Sequence, residues 1–153
     1  MGKKKETQLS VLNQIRDILI EARGPIDKRP FEVCAAKRFI KLPGNWVKDT
    51  QTNLEWGPSS SERMPWEKAK AYCEKEGGRL PTVRELESLI DRTKHNPAVD
   101  KDAFPDTKSA WYWTSEVVAG YSGCAWIVDF SDGVVCYSTK ANSGYVRAVR
   151  PSQ

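Results

Sequence analysis

Four cysteines and one histidine bound the chemistry open to this chain. Cys34, Cys73, Cys124 and Cys136 are widely spaced, no C-x-x-C pair exists, and His95 is the only imidazole. Zinc needs three or four close nitrogen or sulfur ligands, so no metal site is expected. A reactive thiol needs an electropositive neighbour to lower its pKa, and none flanks Cys124 or Cys136 in sequence. His95 sits in the polar run Thr93-Lys94-His95-Asn96-Pro97, and no G-x-S-x-G elbow offers it a serine. Asp100, Asp102 and Asp106 cluster in one stretch. Such a cluster is more often solvated or capping nearby amides than holding a metal. A pair of carboxylates spaced for glycoside hydrolysis cannot be located from sequence. The expectation is a protein that is not an enzyme and uses no cofactor.

The elements that must position these residues follow from pattern. The net charge of +4 owes much to Lys3, Lys4 and Lys5, which read as a solvated tail. No basic stripe marks a helix or strand, so nucleic acid is not an expected partner. No apolar run approaches the roughly 18 residues of a membrane span, and insertion is not expected. The N-terminus lacks the apolar stretch of a Sec signal peptide, and Glu6 breaks the myristoylation pattern that begins at Gly2. The chain is expected to be cytoplasmic at synthesis, with display on a virion or a cell surface by another route left open. The absent signal also makes the four cysteines read as reduced thiols.

Leu9, Leu12, Ile15, Ile18, Leu19 and Ala22 share one face of an amphipathic helix over 7–22, stopped at Gly24-Pro25. That face either packs on the domain behind it or serves homo-oligomer formation or virion attachment. The expected division is a basic tail and helix over 1–30 and a ligand-binding domain over 31–153. Residues 31–40 are ambiguous between strand and helix. Trp46 to Trp56 reads as a hairpin. A helix opens after Pro65 with Trp66, Ala69, Tyr72 and Cys73 inward, and ends at Gly77-Gly78. Thr82 and Glu85 form a capping box for a further helix that faces Leu86, Leu89 and Ile90 inward. A long polar loop covers 91–110, and strands follow from Trp111. Helices first and strands later give an α+β fold.

A series of segments then stands in order: WVKDTQTNLEW, PWEKAKAYC, GGRLPTVRELESLID, FPDT, YWTS, AWIVDFSDG and the closing YVRAVR. Together they resemble the C-terminal domain family of the Legionella collagen-like adhesin, a branch of the C-type-lectin-like fold. The resemblance spans about residues 45–151. It implies two helices packed on a small twisted antiparallel sheet, loop-rich, with the N-terminal helix as an extra. It also implies ligand binding through surface loops, without catalysis. Family members often carry a cysteine between the last two arginines, placed to pair with the helix cysteine. Ala148 stands there in this chain, so the resemblance implies that Cys73 is a free thiol. The Glu-Pro-Asn, Gln-Pro-Asp and Trp-Asn-Asp motifs of calcium-dependent lectins are missing, so sugar binding through calcium is not expected.

The last strands carry the most specific signal. Asp132-Gly133 predicts a two-residue hairpin turn that sets Phe130 opposite Val135, Asp129 opposite Cys136 and Val128 opposite Tyr137. Trp126, Val128, Phe130, Val135 and Tyr137 then form a core face, and Ile127, Asp129, Ser131, Val134, Cys136 and Ser138 an outward row of mixed character. Over the thirty residues 117–146, Trp, Lys, Glu, Gln and Met occur only at Trp126 and Lys140. Every other residue type there can be reached from an AAC or AAT codon by changing adenines alone. That footprint resembles the variable protein of a diversity-generating retroelement, whose targets end in a C-type-lectin-like domain. On this reading Trp126, Val128, Phe130, Lys140 and the closing strand are fixed. The displayed, ligand-binding positions are Val117, Val118, Gly120, Tyr121, Ser122, Gly123 and Cys124 in one loop. Ile127, Asp129, Cys136 and Ser138 display outward from the strands, and Asn142, Ser143 and Gly144 form a second loop. Tyr121 is the leading anchor, because tyrosine gives large contact area at low entropic cost. The expected partner is a protein or glycan ligand on a cell or particle surface.

Two rival readings stay open. Cys124 and Cys136 could imitate the cysteine pair of formylglycine-generating enzymes, which share the broad fold. Alternatively, a fixed-specificity adhesin-like domain could bind sulfated polysaccharide through Lys108, Lys140, Arg147 and Arg150.

Overall fold

The structure is a computed structural model that describes residues 37–153. The lysine tail, the helix expected over 7–22, Cys34 and the domain boundary near residue 31 lie outside the described residues. Strands β1 (Phe39–Lys41), β2 (Val47–Asp49) and β3 (Leu54–Ser59) run antiparallel, and the Trp46–Trp56 hairpin forms as expected, with Asn53 at φ 56° in its turn. Helix α1 (Trp66–Lys75) starts directly after Pro65 and is followed by Gly77 at φ 80°, the left-handed geometry that ends helices. Helix α2 (Val83–Glu87) is one short turn held by the capping box. The Glu85 amide donates to Thr82 Oγ1 at 3.2 Å, and the Thr82 amide donates to Glu85 Oε2 at 2.8 Å.

Strands β4 (Trp111–Val118), β5 (Tyr121–Asp129) and β6 (Val134–Thr139) form a second antiparallel sheet in that order. The closing strand β7 (Arg147–Pro151) returns to pair with β3, giving the first sheet the order β1-β2-β3-β7. The fold is therefore α+β, with two helices and two antiparallel sheets.

The second sheet is covered on both faces at its middle strand. On one side Tyr112, Val128 and Phe130 join Trp56, Leu86, Leu89, Val99, Phe104 and Val149. On the other, Trp113, Ala125 and Ile127 join Trp66, Ala69, Cys73, Leu80, Val146 and Ala148. This double cover corrects the expected face assignment. Period-two alternation divides a strand into a dry and a wet face only when one face meets water. Ile127 is 7% exposed and belongs to the core.

The hairpin turn also differs. Asp129 pairs with Val134, Val128 with Val135, Ile127 with Cys136 and Trp126 with Tyr137. The turn is thus the four residues Phe130–Gly133, in which the Gly133 amide donates to the Asp129 carbonyl at 2.8 Å. The shift of two residues preserves which side chains share a face. It moves Phe130 out of the ladder into the turn, where it is still fully buried.

Candidate functional site

Three chain segments meet at the free end of the β4–β5–β6 sheet. The first is the β4–β5 turn. Val118 pairs with Tyr121 across Ala119 and Gly120, the latter at φ 81°. Tyr121 projects 67% exposed, and Val117, Gly120, Ser122 and Gly123 are exposed with it. A side chain added at Gly123 would meet nothing within 4 Å. The second segment is the end of β6, with exposed Cys136 and half-buried Ser138. The third is the loop after it, where Asn142 and Ser143 are exposed. Two bonds hold the segments together. The Lys140 amide donates to the Gly123 carbonyl at 2.9 Å, and Asn142 Nδ2 donates to Ser138 Oγ at 3.0 Å.

Pairing sets these residues in rows across one face. Val117, Ala125 and Ser138 form one row, and Trp113, Ile127 and Cys136 the next. The inner member of each row is buried and the outer member on β6 is open. The expected outward row is therefore split. Ile127 sits under Trp66 and its neighbours, while Cys136 and Ser138 remain reachable. Asp129 is half-buried, and its Oδ1 accepts from the Ser131 amide at 2.8 Å and from Ser131 Oγ at 2.7 Å, so it shapes the turn.

Two further positions expected on the surface lie beneath it. Val118 is buried at the last rung of the hairpin, where its side chain turns inward. Gly144 is buried against Trp111; a Cβ there would collide with Cζ3 and Cε3 of the indole. The Gly144 carbonyl and amide also exchange bonds with Met64 at 2.9 and 3.0 Å.

The reverse error concerns Trp126 and Tyr137, expected in the core. Tyr137 is 55% exposed and packs edge-to-face on half-buried Trp126, with ring centroids 6.0 Å apart. Helix α2 has only five residues, and its Leu86 packs in the cluster that holds Val128. Trp126 and Val135 line an open depression of about 510 Å³ with Glu116 and the α2 residues Val83 and Arg84. No feature of the sequence says that β6 is an edge strand, and Tyr137 was for that reason indistinguishable from a core aromatic.

The cysteines do not assemble. Alternation along the hairpin puts Cys124, in the row of Thr139, on the opposite face from Cys136, in the row of Ile127. Burial pushes the Cys73 thiol up to about 12, aided by the charges of Glu74 and Glu76. Cys73 is unpaired and packs in the same cluster as Ala148. Among the described residues no group of His, Cys, Asp or Glu is placed to hold a metal ion. Asp100 caps the amides of Asp102 and Ala103, one of the roles expected for that loop. Asp106 does more. Its Oδ1 accepts from Arg147 Nη2 at 2.7 Å and its Oδ2 from the Ser59 amide at 2.6 Å.

That ion pair dismantles the expected basic patch. Arg147 is fully buried, with Nη1 donating to the Gly57 carbonyl at 2.7 Å. Arg150 lies 3.9 Å over the Trp46 ring and donates to Glu55 at 2.8 Å. Lys140 rests over the Trp66 ring at 4.2 Å. Only Lys108 of the four is exposed and without such a contact among the described residues.

Residues 45–150 match the family model of the Lcl C-terminal domain. This chain belongs to the Lcl C-terminal domain family. The matched span runs from β2 into β7, so the Lcl C-terminal domain includes both helices, the whole second sheet and all three segments of the surface just described. Among curated proteins none matches the chain.

Proposed function

We propose that this domain is a non-catalytic, ligand-binding receptor-recognition module of C-type-lectin-like fold, and that its C-terminal surface is the target of a diversity-generating retroelement. The contact surface is Val117, Tyr121, Ser122, Gly123, Cys124, Cys136, Ser138, Asn142 and Ser143. The observation that carries this reading is the division of one compositionally biased window into two classes. Val117, Gly120, Tyr121, Ser122, Gly123, Asn142 and Ser143 are open at one end of the sheet and Cys136 is open along β6, while Val118, Ile127, Val128, Phe130 and Gly144 lie in the framework beneath. A fixed frame with replaceable side chains suits recognition of varied ligands, and Tyr121 supplies a rigid, amphipathic anchor. The separation of Cys124 from Cys136 weighs against a two-thiol reaction. The burial of Arg147 and the engagement of Arg150 weigh against sulfated polysaccharide. The partner is a protein or glycan on a cell or particle surface, met without a cofactor.

The test is a display library in two halves. Adenine-derived codons at Val117, Tyr121, Ser122, Cys136, Ser138, Asn142 and Ser143 should leave most clones folded and yield binders to chosen targets. The same codons at Val118, Ile127, Phe130 and Gly144 should leave few folded clones. Equal folding losses in both halves, or a gene with no nearby near-copy of codons 113–150 beside a reverse transcriptase, would remove the retroelement reading.

A further inference from the structure

The two outer strands of the β4–β5–β6 sheet end differently. Beside β4, Tyr145 accepts from the Trp113 amide at 3.0 Å and donates to the Trp111 carbonyl at 3.2 Å. Nothing among the described residues lies along β6. The Lys140 amide bond to Gly123 fixes the phase of the β5–β6 ladder. Ala125 and Ser138, Ile127 and Cys136, and Asp129 and Val134 are the pairs that exchange bonds. The N–H and C=O groups of Val135, Tyr137 and Thr139 therefore point away from β5. Thr139 C=O accepts from the Asn142 amide at 3.0 Å, and the Cys136 thiol lies 3.8 Å from the Tyr137 carbonyl. The Val135 and Tyr137 amides have no partner among the described residues.

Soluble proteins guard such an edge with lysine, proline or a bulge. Strand β6 reads Val-Val-Cys-Tyr-Ser-Thr, pairs in unbroken register, and leaves Val134 51% and Tyr137 55% exposed. Its nearest charges are Asp132 before it and Lys140 after it.

We propose that β6 pairs antiparallel with β6 of a second copy of this chain, in the register centred on Cys136. Val135 then faces the partner's Tyr137 and exchanges both backbone bonds with it, which uses the outward groups the edge leaves open. Asp132 lies in the turn just before β6 and Lys140 just after its end, so antiparallel pairing brings the acidic end of each strand toward the basic end of its partner. A register slipped by two residues sets Tyr137 against Gly133 of the turn, or Val135 against Thr139, whose carbonyl already accepts from the Asn142 amide, so the open groups of Val135 and Tyr137 select this one. The product is a continuous six-stranded sheet. The outward faces of Cys136 and Ser138 from both copies stand side by side on it, so pairing doubles the exposed surface without covering it. The bonds are made by backbone, so replacing the side chains at 136 and 138 leaves them intact. The inference does not depend on the proposed function.

Sedimentation velocity on the full chain over a concentration series tests it. A reversible dimer is expected. Tyr137→Pro removes an outward N–H together with the half-exposed ring on Trp126, and should give a monomer that still unfolds cooperatively. If proline abolishes that cooperative unfolding, Tyr137→Lys keeps the backbone and carries the same test. Asp132→Lys should weaken the dimer by about tenfold through like charges at both ends, and Asp132→Lys with Lys140→Asp should restore it. The two Cys136 residues form a pair without backbone bonds between them, the close kind that a disulfide can bridge. With oxidised glutathione, the two thiols lose two electrons and two protons to form the S–S bond, and two reduced glutathione molecules leave. The resulting covalent dimer should vanish in Cys136→Ser and persist in Cys34→Ser and Cys124→Ser. A chain that stays monomeric across the series overturns the proposal. So does a dimer indifferent to both Tyr137 variants, or one cross-linked through Cys34. Val135 and Tyr137 amides already protected from exchange in a monomer overturn it as well, because another part of the chain would then cover the edge.

Discussion

Gly123 and Gly144 stand in the same run of small residues and have opposite surroundings. Space around Gly123 is open, whereas Trp111 closes over Gly144. Gly123→Ala should change unfolding free energy by no more than about 0.5 kcal/mol. Gly144→Ala must push the indole aside, and overpacking of this kind costs about 1–3 kcal/mol. Urea unfolding of the two variants side by side gives both values. Equal effects would mean that Trp111 can swing away, and Gly144 would return to the displayed set. Ile127 makes the same point from the apolar side. Its residue type fits either a core or a contact patch, and only the cover provided by Trp66, Ala69 and Val146 decides which.

At the scale of elements, local chemistry was legible and lateral position was not. The capping box at Thr82 and Glu85, the Pro65 start of α1 and the Trp46–Trp56 hairpin each depend on a few neighbouring residues, and each forms as read. The β5–β6 hairpin was legible as a pair of strands with the right side chains grouped. Its turn was not, because Phe130 is held by the core and lengthens the loop to four residues. Which strand ends at an edge is a tertiary fact, and it decided the fate of Tyr137, whereas Val134, expected outward, is exposed. The exposed loop positions were legible because Gly, Ser and Asn at a turn require no burial to explain them. Helix α2 gives the element-level prediction. Thr82→Ala removes one cap bond and should cost about 1 kcal/mol. Faster exchange should be confined to the amides of Val83 to Leu86. A thermal shift matching that cost, with no change in exchange at β7, is the expected pair of results. Glu85→Ala should cost more, since Glu85 also receives Arg79 at 2.7 and 2.9 Å.

Across the whole molecule, four carboxylates are paired with arginines, and two of the pairs, Glu55–Arg150 and Asp106–Arg147, tie the closing strand to segments distant in sequence. Asp49 pairs with Arg38, Glu55 with Arg150, Glu85 with Arg79 and Asp106 with Arg147. Burial opposes ionisation of Asp49 and Asp106, but hydrogen bonds and the facing guanidinium outweigh it and hold both carboxyls below their usual range. For Glu55 and Glu85 the bond from the arginine is the leading cause, and burial is the smaller opposing one. A carboxylate whose pKa is depressed by folding binds protons more weakly in the native state than in the unfolded chain. Its contribution is complete above the unfolded pKa, near 4, and is lost as pH falls through the lower native value. The urea midpoint should therefore hold nearly constant from pH 7 to about 5 and fall progressively below about 4. Asp106→Asn tests the assignment at one site. At pH 7 it leaves the buried Arg147 charge without its counter-ion, a change that costs about 1–3 kcal/mol because Asp106 is itself partly exposed and Arg147 keeps its bonds to Gly57 and Thr107. Because asparagine does not titrate, the gap between the variant and the unsubstituted protein should narrow as pH drops. A gap that stays constant down to pH 3 would mean that folding leaves the Asp106 carboxyl unshifted, and that the closing strand is held by packing around Val146, Ala148 and Val149 alone.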